Sequence, residues 1–203
     1  MDKNKSYMEN LKMDEVPWHR LTTAYCRATE FPGYFKTIWG MKNLKKVRMA
    51  LEEVLCHIEH QSTFWHSTPF AMIFLVLIFK HAVLEMEKNR AANYITEQLL
   101  NFFILIAECF KETDEMEHPE QLSCFSDMLK EEYLWSEEYD EEEDEARYYE
   151  GEVFPDDLFY SFYYYSYQVL LDCKPMLRKL EHTHFAAAAE ELEQLLLYNL
   201  SES

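Results

Sequence analysis

A chain of 203 residues, 48% apolar, is long enough for one core, and 3 Gly with 6 Pro leave few breaks in it. A formal net charge of −19 argues against nucleic acid and anionic membranes as partners and in favour of basic proteins. Five cysteines, an odd number with no CxxC pair, argue against a disulfide framework.

The 24 Leu outnumber the 14 Val and Ile together, which favours helices, because unbranched side chains keep their rotamers there. Residues 1–16 are polar and read as a flexible terminus without a signal-peptide run. Phe31–Trp39 reads as a short helix entered through Pro32. From Asn43 the positions Leu44, Val47, Leu51, Val54, Leu55 and Ile58 keep a 3-and-4 spacing, the mark of an amphipathic helix. Ser62–Thr68 breaks that pattern, and Thr68-Pro69 starts the next helix: the hydroxyl is placed to cap, and proline is tolerated at the first helical position.

The helix from Pro69 to about Lys88 is apolar nearly all round in its first half and should be central. Its longest uninterrupted apolar run, Phe70–Phe79, is ten residues, too short for a bilayer, so a cytoplasmic protein is expected. Another helix runs from Asn89 to about Phe110, antiparallel to the last across a short turn. His118-Pro119 reads as the start of a helix to Trp135. Pro155-Asp156-Asp157 opens an aromatic helix, "LFYSFYYYSYQVLL", which Pro175 breaks. Phe185, Ala189, Leu192, Leu196 and Leu200 form the stripe of a last helix. Cys56, Cys109 and Cys173 fall in such helices, where buried thiols are expected. The expected fold is all-α: seven or eight helices in stacked antiparallel pairs, one domain over 17–203.

"WHRLTTAYCRATEFPGYFKTI" (18–38) and "IEHQSTFWHSTPFAMIFL" (58–75) together resemble the opening of a group of bacterial HEAT-like helical-repeat proteins. The matching residues are Leu21, Ala24, Tyr25, Ala28, Pro32, His60, Gln61, Thr63, Phe74 and Leu75. Cys26 and Ser62 stand where that group commonly has glycine. The resemblance covers about the first 80 residues. It implies a HEAT-like binding scaffold; some members sit beside polymorphic or secreted toxins and look like immunity proteins.

Two stretches compete as sites. Glu53, His57 and His60 share a helical face, with His66 nearby, and could bind zinc as the centre of a metal-dependent enzyme. The alternative is a structural joint, in which His60 and Gln61 satisfy carbonyls at a helix end, His66 or Thr68 caps the next helix, and Phe64 and Trp65 wedge under the turn. The joint is the preferred reading, so no metal, cofactor or catalytic residue is expected. A glycine-rich phosphate loop, a nucleophile elbow and HExxH are all missing from the sequence.

The second stretch is the acidic, aromatic insertion at about 136–157. Fourteen acids and one base, Arg147, lie between Glu131 and Asp157. Such runs are commonly solvated loops. Here Tyr139, Tyr148, Tyr149 and Phe154 punctuate the acids, as anchors do in protein interfaces. The expected partner-binding residues are Glu137, Glu138, Tyr139, Asp140, Glu141, Glu142, Glu143, Asp144, Glu145, Tyr148 and Tyr149. The expected function is a non-enzymatic immunity protein that occludes a basic toxin, such as a nuclease. The alternative is an acidic nucleic-acid mimic or adaptor that binds a DNA-binding protein.

Overall fold

Asn43 opens the first long helix as the sequence suggests: its side chain accepts from the Lys46 amide, and Val47, Leu51, Val54 and Ile58 are buried below it. In the computed structural model, which describes residues 3–113, 117, 119–149 and 154–198, without the side chains of Glu145, Arg147, Tyr148, Tyr149 and Tyr198, the protein is all-α. The helices are α1 (Lys3–Asn10), α2 (Phe31–Gly40), α3 (Leu44–Ile58), α4 (Thr68–Glu85), α5 (Arg90–Glu112), α6 (Glu141–Tyr149), α7 (Asp156–Leu170), α8 (Lys174–Leu177) and α9 (Ala186–Tyr198). Asn89 caps α5 through the amides of Ala91 and Ala92.

The helix α4 lies at the centre, packed on α2, α5 and α7, while α5 packs on α3, α7 and α9. Its central place follows from its composition, since residues apolar on every face need neighbours on every face. At 18 residues α4 is, among the described residues, the helix long and apolar enough to cross a membrane, yet 72% of it is buried within the protein. One core runs from Leu11 to Leu196.

Between α3 and α4 the chain forms a hairpin, β1 (Glu59–His60) and β2 (Thr63–Phe64), with Glu59 opposite Phe64 and His60 opposite Thr63. Gln61 and Ser62 both have positive φ, 53° and 61°. A two-residue turn of that hand matches the twist of its strands, but non-glycine residues are strained in it. Ser62→Gly should therefore stabilise the protein by up to about 1 kcal/mol, the left-handed cost less the extra freedom of unfolded glycine. The check is a thermal melt, where a rise of roughly 2–4 °C is expected.

The aromatic helix α7 reaches outward through its tyrosines, as buried hydroxyls require partners. Tyr163 donates to the Ser62 carbonyl and accepts from the Phe64 amide, with its ring stacked on Phe64 at 4.3 Å. Tyr165 donates to the Leu122 carbonyl, and Tyr167 to the Leu196 carbonyl. Burial pushes the Tyr163 and Tyr165 hydroxyls up from their ordinary pKa, so these spokes stay protonated as donors.

Several elements differ from expectation. Residues 3–16 are docked: α1 packs on the 3-10 turn Phe125–Leu129, and Asn4 accepts from the Phe125 amide and donates to the Ser123 carbonyl. The helix expected from His118 to Trp135 is replaced by that short turn. Side chains from elsewhere take its backbone groups: Ser161 accepts from the Leu122 amide, Tyr165 takes the Leu122 carbonyl, and His66 donates from Nε2 to the Met128 carbonyl at 2.7 Å. His118 and Leu200 lie outside the described residues. Thr68 does not cap α4. Its hydroxyl accepts from the Trp65 amide and donates to the Ile58 carbonyl, tying the end of α3 to the start of α4. Cys109 and Cys173 are buried as expected, and burial lifts their thiols to about 11 and about 12, but Cys56 is exposed.

Candidate functional site

The acidic stretch is ordered by its own sequence. Asp140 caps α6, accepting from the Glu143 amide, and Glu141, Glu142, Glu143 and Asp144 fill the first turn, where the helix dipole favours negative charge. A helix thus stands where a solvated loop was the ordinary reading.

Basic residues from the turn before α2 hold this stretch down. The Arg27 guanidinium grips Asp144 with both prongs, Nε to Oδ2 at 2.7 Å and Nη2 to Oδ1 at 2.6 Å. It also donates to the carbonyls of His19 and Ser136, and its plane lies 5.5 Å from the Trp135 ring and 5.4 Å from the Tyr139 ring. Arg27 is 7% exposed and Asp144 9%, so the pair is close to fully desolvated. Nearer the solvent, Arg20 donates to the Trp135 carbonyl and pairs with Glu131 through both nitrogens, and His19 meets Glu137 at 2.9 Å. The Arg20 bond holds the Glu131 carboxyl below its usual range, though water screens that exposed pair.

Between this acidic strap, residues 136–145, and the turn before α2 lies a cleft of about 340 Å³, walled by Tyr25, Trp65, Trp135, Tyr139, Glu141 and Asp144. Tyr25 and Tyr139 are 60% and 65% exposed, so their rings are open to a partner. The Thr22 hydroxyl and the Trp135 indole N–H also belong to cleft residues, both buried and without a hydrogen-bond partner. Buried polar atoms of that kind are costly unless something pairs with them.

The expected partner-binding residues divide. Glu138, Tyr139, Asp140, Glu141, Glu142 and Glu143 are exposed. Glu137 is exposed but engaged with His19, and Asp140 is engaged as the cap. Asp144 is a correction: it is buried, and its carboxylate is spent on Arg27. Phe154, an aromatic among these acids but not one of that set, is half-buried, its ring packed on Phe162 and His66. Glu145, Tyr148 and Tyr149 belong to α6, but their side chains lie outside the described ones. Sequence reasoning missed His19, Arg20, Arg27, Trp135 and Tyr25 as site residues. The available signal was "WHRLTTAYCR", a basic stretch whose charges needed acids elsewhere.

The histidine stretch is a joint, built differently from expectation. Tyr25 Oη meets His60 Nδ1 at 3.0 Å, and the Ala24 amide donates to the His57 carbonyl, so the two segments that carry the family resemblance touch. Phe64 is fully buried under the hairpin, as a wedge should be. His60 and His66 do not join Glu53. His57 does, with Nε2 3.6 Å from Glu53 Oε2. Burial lowers the His57 pKa, partly offset by Glu53. The unfolded chain thus binds that proton more readily, so this contribution is present above the unfolded pKa and is lost as pH falls through the folded one.

No family model, no curated protein and no solved structure matches this chain significantly. The resemblance to the HEAT-like group therefore stands on the residues of 18–75 alone.

Proposed function

We propose that the protein is a non-enzymatic binding scaffold of HEAT-like design, an immunity protein that neutralises a basic toxin by covering it with the 136–145 strap and the adjoining cleft. The observation that carries this reading is the braced cleft: aromatic rings and carboxylates together, fixed by a buried arginine. Rings and carboxylates are the chemistry that receives a Lys or Arg side chain, the first by cation–π attraction and the second by charge. Pre-formed walls lower the ordering cost of binding.

This mechanism needs no chemistry at the interface, only occlusion, and it operates in the cytoplasm beside the toxin's target. The test is to express the chain with the basic protein encoded next to it in its native genome. Protection of the cells and a stable one-to-one complex are expected. Full toxicity with no complex for any neighbouring product overturns the reading. If the partner instead is a DNA-binding protein of the host, the nucleic-acid mimic takes its place.

A further inference from the structure

We propose that Glu53, Cys56 and His57, at the C-terminal end of α3, form a binding site for a zinc-class divalent cation. Their donor atoms, a carboxylate oxygen, a thiol sulfur and an imidazole nitrogen, all lie within 4.8 Å of one another. Positions i, i+3 and i+4 put them on one face of the helix, so the backbone fixes their approach.

His57 presents Nδ1 to Thr23 and Nε2 to Glu53. The Thr23 hydroxyl donates to the Cys26 carbonyl at 2.9 Å, and it sits 3.0 Å from His57 Nδ1. The Thr23 oxygen also takes the Tyr25 and Cys26 amides, so Nδ1 is occupied by this turn and Nε2 is the nitrogen left for an ion. Nε2 lies 3.6 Å from a Glu53 oxygen, close enough for one ion to reach both. The Thr23 contact is also the outer hydrogen bond that orients a ligating imidazole.

Two further features select the ion. Cys56 and His57 lie in the last turn of α3, the end at which the helix dipole favours positive charge. Thiolate plus imidazole suits zinc rather than calcium or magnesium, which prefer oxygen ligands. On binding, the Cys56 thiol gives its proton to solvent as the metal–sulfur bond forms, so affinity falls as pH falls. Three protein ligands leave a fourth position open. His60, bonded to Tyr25, is not a member of the set, so this site differs from the Glu53-His57-His60 set that the helical spacing alone suggests. The Thr23–Cys26 turn borders both this site and the cleft, and a bound ion would brace that wall.

The experiment is a titration of the full chain, stripped of metal and kept reduced by a phosphine, with Co²⁺. One equivalent should give the thiolate-to-cobalt charge-transfer band and the visible absorption of a tetrahedral ion, and Zn²⁺ should displace it. Cys56→Ser should abolish the charge-transfer band. Glu53→Gln and His57→Gln should each weaken binding roughly tenfold or more, since even outer-shell partners of such sites cost that much. Circular dichroism of each variant separates lost ligands from lost fold. Absence of cobalt uptake, or a band that survives Cys56→Ser, overturns the site and leaves Glu53–His57 as an ordinary ion pair. Neither outcome bears on toxin neutralisation.

Discussion

Arg27→Ala should lower stability by about 3–5 kcal/mol, the usual cost of removing one partner from a buried ion pair. For a chain of this length that is a fall of roughly 6–20 °C in melting temperature. The loss comes less from missing attraction than from what remains. Asp144 keeps a charge at a 9% exposed position, and the carbonyls of His19 and Ser136 lose their donor. Arg27→Lys should recover less than half, because an ammonium cannot bond both carboxylate oxygens and two carbonyls from one plane. Asp144→Asn should cost less, about 2 kcal/mol, since the guanidinium keeps its carbonyl partners. The double replacement Arg27→Met with Asp144→Leu should be more stable than Arg27→Ala, because it buries no lone charge. Thermal melts of the four variants measure this. If Arg27→Ala melts within about 2 °C of the parent, the strap is not anchored and the cleft is not a pre-formed site.

The second expectation concerns binding rates and rests on the proposed basic partner. Changing Glu141, Glu142 and Glu143 to Gln should slow association by roughly tenfold at low salt and flatten its salt dependence, while dissociation changes little. These three are exposed and free of the anchoring contacts, whereas Asp144 must be left out because its loss would disturb the strap itself. Tyr139→Ala and Tyr25→Ala should do the reverse. Removing an open ring from the cleft wall should speed dissociation by roughly thirtyfold, the factor that a hot-spot loss of about 2 kcal/mol implies, with little effect on the on-rate. Surface-based kinetics at two salt concentrations separates the effects. Equal association rates for parent and triple variant would move the interface away from α6, to the faces of the helical core.

Local chemistry alone determined much of this protein. The Asn43 cap and the Val47-to-Ile58 stripe make α3, an all-round apolar run makes α4 central, and Phe185 to Leu196 make α9. Each rests on contacts within a few residues of itself, so periodicity reveals it. Even α6 carried its signature, Asp140 with an acid three residues on, although sheer charge density suggested a loop. Other features depend on residues far apart in sequence. Residues 118–135 have helix-forming composition, but Asn4, Ser161, Tyr165 and His66 take their backbone groups, and these arrive only once the core has formed. Asp144 looked like one more surface acid in a run of six. Arg27, 117 positions earlier, turns it into a buried anchor. A sequence read alone shows which charges are present, but pairing follows from distance in space, and desolvation sets what each pair is worth. The fold thus divided the acidic run into a buried anchor, Asp144, a helix cap, Asp140, and the exposed Glu141, Glu142 and Glu143.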